Sequence, residues 1–373
     1  MVDFELSERI RELQQRAKAF ADEHLRPHAG TWDAERRFPR EAVEQAATQG
    51  FLGVTVPEEF GGSNRCNVAS CVMLEEINRG CASTGVTVSV HNSLFCAPLV
   101  KFGTDEQKQR ILPKMATGEW LGAYCLSEAG AGSDAAALRC AARRDGDEWV
   151  LSGPKLWITT GSEADIFIVF ARTDEHRTRG ISAFLVEAER DGCEVGKKEV
   201  KLGIRASPTT EILLNDCRIP AGNLLGEEGM GFKIALDTLD GGRLGIASQS
   251  LGIARASLET CIDYVRDNDI EDQAVHWAIA DMATDLEAAR LLTWRASALR
   301  DRGLPCTGQS AMAKSFASRT CNNTVRRVVS ILGTDGLTSN SPAERFLRDA
   351  RITEIYEGAT DIQRLIVSRF VLS

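Results

Sequence analysis

The most constraining feature of this sequence is a change in the spacing of its apolar residues, made twice along the chain. Up to about residue 115 the spacing is helical: Leu13, Ala17 and Phe20 share a face, as do Val72, Leu74, Ile77 and their neighbours. Pro57, Gly61 and Gly62 interrupt that stretch as a loop. From about 116 to 226 the period drops to two, in Trp149 and Leu151, in Ile166, Ile168 and Phe170, in Ile181, Ala183 and Leu185, and in Ile212 and Leu214. Asp145-Gly146 and Asp191-Gly192 supply turns between these runs, so the segment predicts half-buried strands. From about 227 the helical period returns: Val275, Ala278, Met282, Leu286 and Ala289 recur every three or four residues, with a break at Arg300 to Gly308. Helices, a compact β segment and helices again predict an α+β chain with a sheet between two helical bundles. No internal repeat or low-complexity linker divides it, so the three parts are expected to fold as one unit.

Charge narrows the function classes. The formal net charge is −9, which argues against a broad phosphate-binding surface and therefore against nucleic acid as a partner. An anionic ligand must be met locally, by a few cations or by helix N-termini. Glu8, Arg9 and Arg11 alternate in sign as on a helix surface, unlike a signal peptide or an Arg-rich transit segment. No apolar run is long enough to cross a bilayer, so no membrane association is expected. The 11 cysteines are scattered from Cys66 to Cys321 without a Cys-x-x-Cys pair and predict reduced thiols in a cytoplasmic protein. The 5 histidines show no metal-ligand spacing, and no metal is expected.

Two segments carry candidate chemistry. Ser127-Glu128-Ala129-Gly130-Ala131-Gly132-Ser133-Asp134 is a stretch whose backbone can approach a flat or anionic ligand closely; a tight turn would use the same residues. It is neither a Walker loop nor a dinucleotide fingerprint, and the chain has no Gly-x-Ser-x-Gly elbow. In Lys155-Leu156-Trp157-Ile158-Thr159-Thr160-Gly161, Trp157 and Thr159 would share one face of a strand. One can cover a flat ring while the other bonds its edge; a core Trp beside a surface Thr is the alternative.

Taken together, Leu126-Ser127-Glu128 with Gly132-Ser133-Asp134, Trp157-Ile158-Thr159, Leu239-Asp240-Gly241-Gly242-Arg243, and Arg348-Asp349-Ala350-Arg351 through Ile355-Tyr356-Glu357-Gly358 resemble the acyl-CoA dehydrogenase family. Pro57 to Gly62 and Ser89-Val90-His91-Asn92-Ser93 add to the resemblance, which runs in family order over essentially the whole chain and is strongest to the short-chain branch. The resemblance implies an N-terminal helical domain (1–115), a central β-barrel-like or sandwich domain (116–226) and a C-terminal four-helix bundle (227–373).

It also implies FAD as cofactor. Cys125, Leu126, Ser127, Gly132 and Ser133 would line the flavin, Trp157 and Ile158 would flank it and Thr159 would bond near its N5. Gln273, Gly333, Thr360 and Asp361 would contact other parts of FAD, Gly333 its adenine-nucleotide half. Ser133, Asp240, Arg243 and Gly358 would meet the substrate. Glu357 would take the α-proton, which is too weakly acidic to leave a thioester unaided; the carbonyl oxygen needs hydrogen-bond donors as enolate character grows. A carboxylate between apolar walls and a flavin is expected to have a raised pKa. Some branches place the base just before the arginine matching Arg243, but here that residue is Gly242.

The sequence departs from the family in one place above others. After Tyr264-Val265 the usual Arg and Gln-Phe-Gly turn, which reaches a neighbouring subunit's FAD, is replaced by the short acidic run Arg266-Asp267-Asn268-Asp269-Ile270-Glu271-Asp272. Ser330, Thr334, Ala359 and Ala129 also replace common family residues. The expected activity is α,β-dehydrogenation of a short or branched acyl-CoA, with electrons passed to an electron-transferring flavoprotein and the chain assembled as a homo-oligomer, a tetramer or a dimer. The alternatives are dehydrogenation of an acyl group on a carrier protein in secondary metabolism, and a structural subunit with weak FAD binding. A flavin oxidase or N-hydroxylase needs no α-proton base, and Glu357 argues against it.

Overall fold

The computed structural model describes residues 5–339 and 341–373. The N-terminal part is built from α1 (Glu8–Phe20), α2 (Ala29–Glu35), α3 (Arg40–Thr48), α4 (Asn67–Gly80), α5 (Ala82–Val90), α6 (Ala97–Phe102) and α7 (Asp105–Thr117). In α1 the buried residues are Leu13, Ala17 and Phe20, the stripe read from the sequence. A capping box between Thr104 and Gln107 starts α7, and Gly118 at φ +73° ends it. A wider π turn, His91–Cys96, joins α5 to α6 and brings Leu94 to the interior.

Helix α4 is buried nearly all round, and its charged residues are not exceptions to that burial but the reason it is tied down. Arg79 bonds Glu76 at 3.2 Å, Asp22 at 2.5 Å and Glu259 at 3.0 Å, while Arg255 reaches Glu76 at 2.7 Å and Arg290 reaches Glu75 at 2.7 Å. Removing one member of such a network strands a buried charge, which makes α4 a fixed reference for the helices around it.

The central segment forms one eight-stranded sheet: β1 (Gly122–Cys125), β2 (Ala141–Asp145), β3 (Glu148–Thr159), β4 (Ile166–Arg172), β5 (Ile181–Glu187), β6 (Cys193–Lys198), β7 (Thr209–Pro220) and β8 (Leu224–Leu225). The order is β6-β7-β3-β2-β4-β5-β8, with β1 pairing in parallel with β4. Trp149 on β3 packs edge-on against Phe184 on β5, 5.2 Å between ring centres, although the two strands are not neighbours. The sheet therefore curls around its own core, barrel-like.

The expectation of half-buried strands fails for β4 and β5, which are buried on both faces. Phe167, Val169 and Ala171 fill the barrel, while Ile166, Ile168 and Phe170 pack into the cluster shared with the helices. Two apolar environments, one on each side, remove the polar face that alternation predicts.

The C-terminal part comprises α8 (Gly231–Asp267), α9 (Gln273–Asp301), α10 (Thr307–Leu332), α11 (Ala343–Ala350) and α12 (Thr360–Leu372). Helix α8 is buried continuously from Gly241 to Ala254 between α4, α9 and α10. Only 268–272 separate it from α9, whose N-terminus is capped by Asp272 accepting from the Ala274 N–H at 2.8 Å. Among the described residues no helix is long and apolar enough to cross a membrane.

Candidate active site

Between α11 and α12 the chain makes a one-turn 3-10 helix, Arg351–Glu354, and then a turn that carries Glu357 at φ +49° and Gly358 at φ +100°. A left-handed non-glycine residue followed by a glycine is a costly local choice, so the surroundings must hold it. They do so at one atom. The Gly358 carbonyl accepts from Lys314 Nζ on α10 at 2.6 Å and from Gln363 Nε2 on α12 at 2.9 Å. A Cβ at position 358 would collide with that Gln363 amide, so the turn needs glycine for space as well as for φ.

The turn aims the Glu357 side chain inward, against Gly242 on α8 and beside Leu94. Its Oε2 is buried and has no hydrogen-bond partner among the described residues. Burial pushes the carboxyl up to about 7 from the ordinary 4.5, while the charges of Lys314 and Arg243 pull the other way. Tyr124 on β1 also faces it, and burial together with the Glu357 charge holds that phenol well above its usual range.

Arg243 is one residue further along α8 and only 4% exposed. It pairs with Asp240 Oδ1, and Thr307 Oγ1 donates to Asp240 Oδ2 at 2.6 Å. Both oxygens of Asp240 are thus engaged within the protein, and its local role is to neutralise and aim Arg243.

The glycine-rich loop is anchored at its ends and open in its middle. Glu128 accepts from the N–H groups of Arg139 at 2.7 Å and Cys140 at 3.0 Å and from the buried Lys155 ammonium at 2.7 Å. The Leu156 N–H donates to the Ser127 carbonyl at 2.9 Å, which joins this loop to β3. Gly130 and Gly132 have nothing within 4 Å of a notional Cβ, and Ser133 is exposed beside them. On β3 a bulge between Lys155 and Ile158 puts Trp157 at φ +61° and leaves it 61% exposed, while Thr159 two residues on is half-buried. An exposed indole on a strained backbone beside an open glycine loop suits a flat aromatic cofactor carrying phosphates, and FAD fits that description. Thr360 and Asp361 open α12, where free amides favour an anion or a polar edge.

Other predicted site residues are placed differently. The side chains of Cys125 and Ile158 are buried in the barrel core and that of Leu126 in the helical core, so only their backbone is available to a ligand. Gln273 begins α9 and Gly333 follows the end of α10, and the Arg327–Asp281 ion pair at 3.3 Å sets these two helix ends at the same end of the bundle. The C-terminus of α8 next to them is 25 residues beyond Gly242, about 37 Å along the helix. Within one chain they stand apart from Glu357.

Sequence reasoning missed Lys314, Gln363, Thr307 and Tyr124. Lys314 did carry a signal: it sits between Ala311, Ala313 and Ala317 on the apolar stripe of a helix, where a charge demands a partner. Among the described residues no group of three or more His, Cys, Asp or Glu gathers to hold a metal.

Residues 7–119, 123–217 and 229–372 match the N-terminal, middle and C-terminal domains of acyl-CoA dehydrogenases. The mitochondrial short-chain specific acyl-CoA dehydrogenase of Rattus norvegicus is 49% identical over 375 residues, covering 99% of this chain and 91% of its own. Butyryl-CoA dehydrogenase from Megasphaera elsdenii superposes with a TM-score of 0.98 at 36% identity over the whole of both chains. A structure described as the electron transferring flavoprotein of Acidaminococcus fermentans, studied for flavin-based electron bifurcation, does so with a TM-score of 0.98 at 40% identity, also over the whole of both chains. The chain belongs to the acyl-CoA dehydrogenase family.

Proposed function

We propose that this chain is an FAD-dependent dehydrogenase of short acyl-CoA thioesters and that Glu357 is its base. The observation that carries the reading is the Glu357 carboxyl: on a half-buried residue, with Oε2 enclosed and without a partner among the described residues, and raised to about 7, so that it can take and release a proton near neutral pH. Gly242, opposite it, carries no side chain, so the Glu357 carboxyl can lie directly against α8. The carboxylate removes the α-proton, and the electron pair left behind forms the new C=C bond as the β-hydrogen departs with its own pair. FAD, when bound, supplies the acceptor for that hydride. The Glu357 backbone N–H is the donor this turn offers to the thioester oxygen. Arg243 and Asp240 frame the same wall, and Ser133 offers a hydroxyl from the flavin loop. A short acyl group is favoured because relatives with short-chain and butyryl specificity match over the full chain.

Gln273 and Gly333, remote from this chain's own Glu357, suit the cofactor of a second copy, so a homo-oligomer belongs to the reading. An electron-transferring flavoprotein as acceptor is supported by the Acidaminococcus fermentans neighbour, and a cytoplasmic setting by 11 cysteines that are all unpaired. The purified protein is expected to be yellow and to bleach anaerobically with butyryl-CoA. Glu357→Gln should abolish the bleaching while leaving thioester binding intact. A Glu357→Gln protein that bleaches as fast as the wild type sinks the assignment.

A further inference from the structure

We propose that Lys314 is a positioning residue for the dehydrogenation, holding the Glu357–Gly358 turn through the Gly358 carbonyl and setting the proton affinity of the Glu357 carboxylate through its charge. The proposal rests on Glu357 being the base.

Lys314 is fully buried, with 0% of its surface exposed, in the middle of α10. An ammonium in such a place is expensive unless something requires its charge. Among the described residues it forms no carboxylate salt bridge. It donates a hydrogen bond to a backbone carbonyl, that of Gly358, and at 2.6 Å the bond is short for a nitrogen donor. The carbonyl belongs to the residue just after the base, in a turn whose two residues both have positive φ. Gln363 shares the same acceptor from α12, so two helices grip one atom and leave the turn little freedom. The Gly358 carbonyl lies one residue beyond Glu357, so holding it narrows the backbone torsions open to the turn that carries the Glu357 N–H and side chain.

The second effect is electrostatic. Lys314 is the leading influence drawing the Glu357 carboxyl down against the upward push of burial, ahead of Arg243. Burial in turn brings the ammonium down to about 8, with Glu357 and Glu354 opposing that fall and Arg243 adding to it. The charged and titratable groups facing Glu357 are therefore Lys314 from α10, Arg243 from α8, Tyr124 from β1 and Tyr356 on its own turn. Of these, Lys314 alone bonds the turn itself and carries a charge. Without it, only Arg243 among these groups opposes burial at the base, whose carboxyl would be pushed further up.

The test compares Lys314→Met, which removes charge and bond, with Lys314→Arg, which keeps the charge. Two readouts are taken on the flavin-loaded protein. One is the infrared titration of the Glu357 carboxyl without substrate, identified by its loss in Glu357→Gln. The other is the pH profile of anaerobic bleaching by butyryl-CoA. In Lys314→Met both midpoints should rise by about one pH unit, a tenfold loss of rate below the limb, with butyryl-CoA affinity changed less than threefold. Lys314→Arg should restore the midpoint. If Lys314→Met does not fold, Lys314→Gln, neutral but still a donor, takes its place with the same expected rise. A neutral variant whose carboxyl titration and limb both coincide with the wild type overturns the proposal. Failure of the functional reading looks different: wild-type protein would not bleach at all, yet the carboxyl titration would still report whether Lys314 governs Glu357.

Discussion

The carboxylate of Glu357 occupies the space that a side chain on Gly242 would need. A Cβ built there overlaps Glu357 Oε2 and comes within 2.9 Å of Leu94 Cδ2. Helix α8 cannot retreat, because it is buried on all sides along this stretch. Gly242→Ala should therefore displace the Glu357 side chain. Its helix-propensity gain is set against an overpacking cost of about 1–3 kcal/mol. Bleaching by butyryl-CoA should fall at least tenfold while flavin content stays constant. Unchanged bleaching would mean that the base acts from another position.

The raised Glu357 carboxyl predicts both a rate profile and a stability profile. Only the ionised form accepts the α-proton, so bleaching should increase with pH through a midpoint near 7 in the free enzyme. For folding the sign is opposite. A carboxyl whose folded pKa lies above its ordinary 4.5 contributes most below that value, and the contribution is lost as pH rises through about 7. Glu357→Gln should therefore stabilise the flavin-free protein at pH 8, by up to about 3 kcal/mol, and change it little at pH 4. Urea titrations at the two pH values measure the difference directly, and equal shifts at both would contradict the buried charge.

Trp157 separates a cofactor role from a structural one. Its indole is 61% exposed, so truncation removes little packing from the flavin-free protein. Trp157→Ala should melt within about 1 °C to 3 °C of wild type without flavin, a cost on the order of 0.5 kcal/mol. Its FAD dissociation constant, measured by flavin fluorescence, should rise at least tenfold. A large loss of stability without flavin would place Trp157 in the core instead.

Periodicity made the three-part order legible because helices and strands bury different spacings, and it failed where burial is two-sided. Phe167 and Ile168 are adjacent on β4, yet one fills the barrel and the other the helical core, so alternation held no polar partner to reveal it. Motifs singled out Glu357, Gly358 and Trp157 as candidates. The bulge that exposes Trp157 was not, since it arises from a register shift against β7 that local sequence does not encode. Lys314 and Glu357 are 43 positions apart in the chain, and their meeting through Gly358 depends on how α10 and α12 pack. The resemblance put Gln273 and Gly333 at FAD, but their remoteness from Glu357 emerges only once α8 is seen as a single helix from Gly231 to Asp267.

Asp240 and Lys314 should shift the base in opposite directions. Asp240 neutralises the buried Arg243, and its second oxygen is held by Thr307. Asp240→Ala would leave the guanidinium buried without its partner, costing about 2–4 kcal/mol of stability, somewhat less than a fully buried pair because Asp240 is partly exposed. The unneutralised Arg243 would then act more strongly on Glu357, whose carboxyl it already draws downward. The acid limb of bleaching should move below 7 by about half a unit even as the protein becomes less stable. Asp240→Asn, which keeps an acceptor oxygen for Arg243 and presents an amide N–H to the Thr307 hydroxyl, should recover roughly half of the stability while the limb stays low. A limb that rises in Asp240→Ala would show that Arg243 has moved away from Glu357, and would identify the Asp240 contact as what keeps that charge on the base.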